Sequence, residues 1–352
     1  GLDMSFLNSR LNFTGDYFIR DTEGMLAKSY VLPSVFGAKE PKENCADLRT
    51  KGWELSLNWN DSFALMGKRF NYTVSASLGD NKTVITKYNN PEKLLTDYYE
   101  GMVLGEIWGY RVDGLFTSDE EATEYTSKIN QDFVNARILS DKVDPYYRAG
   151  DLKFRDLDNN NVINKGDDTV YDPGDREIIG NETPRYNYSF RLGADWNGFD
   201  LGIFFQGVGK RDWYPNHLST GFWGPYSRAF TSFIPENFMD QCWSEENPGG
   251  YFPRFRGYQT FKDSQLGVNN DRYLQNASYI RLKNLTVGYT LPVLKKVFTK
   301  LRVYFTGENL WYWSPMKKYT KYIDPEAAGG NGNTGMAYNY SRNFSVGVDI
   351  TF

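Results

Sequence analysis

An all-β, antiparallel transmembrane barrel is the fold class this sequence predicts, and three observations predict it. The end of the chain alternates strictly: Phe344, Val346, Val348, Ile350 and Phe352 are apolar, while Ser345, Gly347, Asp349 and Thr351 are small or polar. Successive side chains of a strand point to opposite faces, so this segment is greasy on one side and wet on the other. The same alternation recurs along the chain, and the links between alternating segments are long and short in turn. No apolar run approaches the roughly 20 residues of a membrane-spanning helix, whereas a barrel strand crosses with about 9–11 residues, every second one apolar. Outer-membrane barrels of Gram-negative bacteria commonly finish on such a strand with a terminal aromatic; the last strand of a soluble sandwich alternates in the same way.

Taken backward from the terminus, Leu301, Val303 and Phe305 share a face, with Trp311 and Trp313 further along. Leu285, Val287, Tyr289 and Leu291 share a face before Pro292, and Ile280 and Leu282 have the opposite parity, which predicts a bulge near Lys283-Asn284. Phe199, Leu201, Ile203 and Phe205 form one strand; Tyr188, Phe190, Leu192, Ala194 and Trp196 form another. Only Asn197-Gly198 separates them, the favoured hairpin turn. Phe70 to Leu78 and Trp53 to Trp59 alternate likewise, and Arg10 to Arg20 is a weaker segment with Leu11, Phe13 and Tyr17 in phase. The alternation gives about eight crossings.

Short links follow Trp59, Trp196 and Leu291; long ones cover 21–46, 84–184, 211–275 and 314–338. Transmembrane barrels show this asymmetry, with short periplasmic turns and long external loops. With a periplasmic C-terminus, strand parity leaves an even number of crossings for 84–184, read here as none: one external excursion, with Gly105 to Phe116 as part of a hairpin above the membrane. Trp53, Trp59, Trp196, Trp311 and Trp313 suit interface girdles, or ordinary core packing. Glu54, Asn58, Arg191, Asp195, Asp200 and Gln206 fall on the wet face.

Composition narrows the function. The 352 residues suffice for two ordinary domains or one large β-structure. Aromatics at 17% and 33 glycines favour strands and turns. The net charge is −4 and no basic patch lies on an aromatic platform, which argues against nucleic acid. Cys45 and Cys242 lie far apart without metal-ligand spacing, and both a disulfide and separate thiols fit. The one histidine, His217, excludes a His-rich zinc site, and no nucleophile motif surrounds it; the chain does not read as an enzyme. Gly1-Leu2-Asp3-Met4 lacks the basic start and apolar core of a signal peptide, and the strand pattern favours a mature or truncated product over a cytosolic protein.

Residues 156–167 place oxygen-bearing side chains at positions one, three, five and twelve of an EF-hand-like loop: Asp156, Asp158, Asn160 and Asp167. Val162 offers its carbonyl at seven, and this spacing predicts a calcium site. Asn161 stands where the turn glycine is usual, though Asn tolerates the left-handed conformation. Asp167 replaces the longer glutamate, and no helices flank the loop. The alternative is an Asx-rich surface turn held by local hydrogen bonds.

Several segments resemble SusC-type TonB-dependent outer-membrane transporters: Lys51-Gly52-Trp53-Glu54-Leu55, Gly150-Asp151-Leu152-Lys153-Phe154 running into the Asp156 loop, Ile178-Ile179-Gly180-Asn181 before Pro184, and Asn309-Leu310 with Asp324-Pro325-Glu326. The block Ala277-Ser278-Tyr279-Ile280-Arg281-Leu282-Lys283-Asn284-Leu285-Thr286-Val287-Gly288-Tyr289 is the most specific of these. Members are much longer, so the resemblance implies that residues 1–352 are the C-terminal portion of a plugged barrel of about 22 strands, without its plug domain and TonB box. It implies nutrient import across the Gram-negative outer membrane, driven by the TonB complex, with a SusD-like surface lipoprotein. The imported ligand is expected to be a glycan or oligosaccharide, less readily a peptide. Besides ligand and lipoprotein, the partner expected is membrane lipid.

The external segment 211–275 is rich in rings, among them Trp213, Tyr214, Phe222, Trp223, Tyr226, Trp243, Tyr251, Phe252, Phe255 and Tyr258. Sugars stack on aromatic faces, which makes Trp213, Trp223, Tyr226 and Trp243 candidate ligand contacts. The alternative, favoured for most of these rings, is that they pack the loop onto itself or onto the lipoprotein. Two rival architectures stay open: a self-contained small barrel or pore, and a soluble glycan-binding β-protein.

Overall fold

The fold is a computed structural model that describes residues 1–28, 37, 41–139, 141, 144–227, 234, 236–256, 264–292, 299–328 and 338–352. Its first strands are β1 (Leu2–Phe6), β2 (Leu11–Lys28), β3 (Lys42–Leu65) and β4 (Lys68–Lys87). An excursion follows, carrying the short strands β5 (Glu106–Tyr110) and β6 (Val112–Leu115), helix α1 (Asp119–Lys128), and strands β7 (Leu152–Phe154) and β8 (Arg176–Asn181). The chain then returns through β9 (Arg185–Trp196) and β10 (Phe199–Lys210). A second excursion holds the short strands β11 (Asp212–Trp213), β12 (Cys242–Trp243), β13 (Phe252–Arg254) and β14 (Gln275–Asn276). Strands β15 (Tyr279–Leu291), β16 (Lys300–Trp313) and β17 (Asn343–Thr351) complete the order.

Nine of these strands form one sheet in the order β1-β2-β3-β4-β9-β10-β15-β16-β17. Every neighbouring pair is antiparallel. The 84–184 stretch adds no further strand to this sheet, the even count expected for it. Gly105 to Phe116 supplies one arm of an antiparallel pairing whose other arm comes later in the excursion: β5 pairs with β8 and β6 with β7. The strand β1 was not legible in the sequence, because five residues carry too little alternation to stand out. Strands β2 and β3 also reach into the expected 21–46 link. Bulges between Thr22 and Leu26 break the alternation there while the ladder continues to Lys28↔Lys42. The expected bulge at Lys283-Asn284 is present, between Leu282 and Asn284. The Asn197-Gly198 turn has φ of 49° and 89°, the left-handed pair that a two-residue hairpin needs. A Cβ on Gly198 would come within 2.8 Å of the Thr290 carbonyl.

Register makes the two faces explicit. One row across the sheet reads Leu11, Trp59, Val74, Leu192, Ile203, Leu285. Nearer the short turns another reads Phe63, Phe70, Trp196, Phe199, Tyr289, a continuous aromatic belt with ring centroids 5.1 Å apart for Phe63–Phe70 and 4.5 Å for Phe199–Tyr289. Trp59 stands two rows above this belt rather than in it, and its indole N–H donates to the Tyr72 hydroxyl at 3.0 Å. The opposite face reads Asn60, Thr73, Gly193, Gly202, Thr286, Thr306, Ser345, and in a second row Ser62, Asn71, Asp195, Asp200, Gly288. Hydrogen bonds run along this polar face, such as Ser77–Ser189 at 2.7 Å and Asn71 to Asp195 at 2.8 Å.

The apolar face is not covered. Phe344 is 66% exposed and Val346 77%, whereas a soluble sandwich seals these side chains under a second sheet. The sheet also does not close: β1 and β17 stand at its two ends, unpaired with each other among the described residues. A self-contained small barrel and a soluble sandwich are both inconsistent with this arrangement. The buried core lies in the long loops instead. Tyr110, Phe154, Ile163, Trp213, Phe222, Trp223, Phe252, Tyr273, Met316 and Ile323 form one cluster drawn from all three loops between β4 and β17. No helix is long and apolar enough to cross a membrane, which says nothing of a barrel.

Candidate functional site

The loop core decides what the candidate rings do. Trp213, Trp223, Tyr226 and Trp243 are 2%, 0%, 0% and 9% exposed, so none presents an open ring face. Trp223 donates its indole N–H to the carbonyl oxygens of Pro215 and Asn216, both at 3.1 Å, and packs edge-on to Phe222 at 4.6 Å. Tyr226 donates to the Pro253 carbonyl at 2.6 Å. Trp243 lies against Gly150, where a Cβ would meet its ring at 2.3 Å. Burial pushes the hydroxyls of Tyr226, Tyr251 and Tyr273 far above the usual tyrosine range. Tyr258 lies outside the described residues. Cys242 is buried in the same cluster and is not bonded to Cys45.

The rings that line one cavity are not the four candidates, and of the rings named from the sequence only Tyr214 is among them. Tyr99, Trp108 and Tyr214, with Met102, Glu106, Asn216 and Asn269, surround a space of about 430 Å³. It opens where β5 meets the second excursion. Glu106 is fixed there by the Tyr99 hydroxyl at 2.6 Å and the Val103 N–H at 2.9 Å.

In the 156–167 loop two of the expected carboxylates, Asp156 and Asp158, meet a third from outside it, Asp175. Asp156, Asp158 and Asp175 place carboxylate oxygens within 4.8 Å of one another. Asp156 accepts from the N–H groups of Asn159 and Asn161, both at 2.8 Å, and those two asparagines take φ of 61° and 65°. Asn161 thus performs the left-handed turn usually left to glycine. Ile163 is fully buried and ties the loop to Asn130 through a 2.7 Å backbone bond. Asp167 is not in the cluster: its N–H donates to Asp172, and the chain turns back so that Asp175 N–H meets the Asn164 carbonyl at 3.1 Å. Asp175 is fully buried and accepts from Leu157 and Asn164, both at 2.8 Å. Burial, and then the charges of Asp158 and Asp156, hold its carboxyl above the usual range. The Asn160 side-chain oxygen accepts from Val162 N–H, and the Val162 carbonyl accepts from Asn164. Among the described residues no Lys or Arg pairs with the three aspartates, and a hard divalent cation fits such an all-oxygen donor set.

A second polar centre went unseen in the sequence. Arg281 and Asp324 are 1% and 2% exposed and form an ion pair, and Arg281 Nε lies 3.0 Å from Glu326. Lys283 Nζ reaches the same Glu326 at 2.7 Å, and the Arg281 guanidinium sits 4.7 Å from the Tyr312 ring centre and 5.2 Å from that of Tyr340. Through Asp324-Pro325-Glu326 the last loop is pinned to the polar face of β15.

Fold and site together define the class: a section of transmembrane barrel wall crowned by structured loops. No family model matches the chain. It is 28% identical, over 381 aligned positions, to the TonB-dependent receptor P3 of Formosa agariphila, covering 100% of this chain and 33% of that protein. It is 22% identical to the TonB-dependent receptor SusC of Bacteroides thetaiotaomicron, covering 100% of this chain and 31% of SusC. Among solved structures, the RagAB peptide transporter aligns with a TM-score of 0.68 at 22% identity, over 99% of this chain and 34% of that one. The RagAB peptide importer in its open-open state aligns with a TM-score of 0.64. Along its whole length the chain is similar to TonB-dependent receptors, SusC among them. It spans about a third of the length of the curated relatives it matches.

Proposed function

We propose that this chain is the C-terminal barrel wall, with extracellular cap, of a TonB-dependent transporter that imports a nutrient across the bacterial outer membrane. The observation that carries the reading is the pair of opposed faces: an uncovered apolar face with an aromatic belt, and a polar face of Ser, Thr, Asn and Gly. The first suits lipid and the second a water-filled bore. The long loops then lie outside and the C-terminus in the periplasm. The plug and TonB-contacting segment belong to the rest of the protein, and a SusD-like lipoprotein is the surface partner.

The ligand reading shifts with the geometry. A glycan was expected from the family resemblance; the four rings offered as its contacts are buried, so the sugar-stacking argument loses them. A peptide gains weight from the likeness to a peptide transporter. Either ligand is placed in the cavity beside Tyr99, Trp108 and Tyr214 rather than on Trp213 or Trp223. Calcium at Asp156, Asp158 and Asp175 is read as a structural cofactor of the first loop. The test is uptake by the full transporter of labelled oligosaccharides and labelled oligopeptides, with and without TonB. TonB-dependent uptake of one class supports import; equal accumulation without TonB rejects it.

A further inference from the structure

Register on the uncovered face of β2, β3 and β4 exposes a feature that import does not use. The row Leu11–Trp59–Val74 is followed, moving toward the long loops, by Phe13–Leu57–Ala76, Gly15–Leu55–Leu78 and Tyr17–Trp53–Asp80. The next row is Ile19–Lys51–Lys82. Two lysines therefore stand directly opposite each other on the lipid-facing side, one row beyond Trp53 and Tyr17. Side chains at such positions have Cβ atoms about 5 Å apart, and like charges so placed repel unless something lies between them.

The nearby carboxylates are committed elsewhere. Asp21 receives both Nε and an NH2 nitrogen of Arg49, at 2.7 and 3.0 Å. Asp80 is held by the fork of Arg185. Among the described residues neither lysine is ion-paired, and both are exposed. Beside them Tyr17 and Ile19 are 64% and 54% exposed on the same face, an apolar shelf at the foot of the charges.

Trp and Tyr mark the headgroup level of a membrane. A pair of ammonium groups one row above them meets the phosphates of lipid headgroups, with acyl chains lying on the shelf below. We propose that Lys51 and Lys82 form a site for the phosphorylated headgroup of an outer-leaflet lipid. The site rests on the membrane reading given above. Its height, one row beyond Trp53 and Tyr17 rather than out among the loops, favours lipid over an acidic surface of a partner protein.

The test reconstitutes the intact transporter in phosphatidylcholine nanodiscs containing lipid A, either phosphorylated or enzymatically dephosphorylated. The lipid A retained per protein after exchange into detergent is counted by mass spectrometry. Wild type should retain the phosphorylated form over the other by about tenfold. K51Q/K82Q should bring the two to parity, and K51R/K82R should restore the preference. Uptake by the glutamine variant should stay normal, because neither residue faces the bore. Equal retention of both lipids by wild type, or an unchanged preference in K51Q/K82Q, overturns the site while the barrel stands. Displacement of the lipid by millimolar inorganic phosphate alone overturns the lipid as occupant. Loss of lipoprotein co-purification in K51Q/K82Q, with lipid retention unchanged, assigns the lysines to a protein and also overturns it. A wild-type protein that elutes lipid-free and monodisperse without detergent removes the barrel reading itself, and this site with it.

Discussion

Asp175 brings a third carboxylate to the pair at Asp156 and Asp158. Its carboxyl is buried beside two other carboxylates, so its folded pKa lies above the unfolded one. Without a cation, the stability this group contributes is present when it is protonated and is lost as pH rises through its raised pKa. A bound calcium reverses this, because the cation favours the ionised form and displaces the proton. Calcium affinity of the full transporter should therefore fall as pH drops from 7 into the acid range. Asp175→Asn should weaken binding at pH 7 at least as much as Asp156→Ala does. Isothermal titration checks both, and unchanged binding in Asp175→Asn removes it from the ligand set. Arg281 is the matching case for ion pairing. Arg281→Met leaves Asp324 buried and uncompensated, a loss of about 3–5 kcal/mol for a broken buried pair. We expect proteolysis to release the 314–328 loop in that variant while β15 and β16 stay protected; a loop as resistant as wild type's contradicts the pin.

At the scale of elements, most long strands were legible and the packing of the loops was not, for one physical reason. A strand writes its environment into the sequence with a period of two, so Phe199 to Phe205 or Tyr188 to Trp196 declare both faces at once. The Asn197-Gly198 turn and the bulge at Lys283 were legible in the same way, from φ preference and broken parity. The loop core has no period. Trp223 and Tyr273, or Tyr251 and Tyr319, meet only after long excursions; the last two stack at 3.5 Å with planes 4° apart. A ring poised to stack on a sugar and a ring buried among other rings look alike in one dimension. The Arg281–Asp324 pair was missed on the same ground, its members lying 43 residues apart, and Asp175 was missed because it falls just outside the twelve-residue loop whose spacing was read. Trp223→Ala separates the two readings of the rings. Removing a fully buried indole costs about 3–5 kcal/mol, so the cap should become protease-sensitive while the barrel remains resistant to heat in detergent. Retained cap protection with lost ligand binding points instead to direct contact with ligand.

At the scale of the whole molecule, the sheet is stable only if its two faces meet different solvents. Leu192 lies at the centre of the wall, with Val74 on one side and Ile203 on the other, and Arg191 projects from the opposite face one residue away. A charge is thus tolerated at 191 and excluded at 192 by the direction of a single bond. An arginine on the lipid face of a barrel near mid-membrane costs about 2–4 kcal/mol, while one facing the bore costs little. Leu192→Arg in the intact transporter should lower the fraction that folds into phosphatidylcholine vesicles, read as the heat-modifiable band on a gel. Ser189→Arg, whose side chain enters the bore beside Ser77, should fold as wild type does. The contrast depends on lipid: in a soluble protein the uncovered row is a sticky surface, and arginine there improves solubility. If Leu192→Arg folds as well as Ser189→Arg, the apolar rows face something other than a bilayer, and the wall reading fails with them.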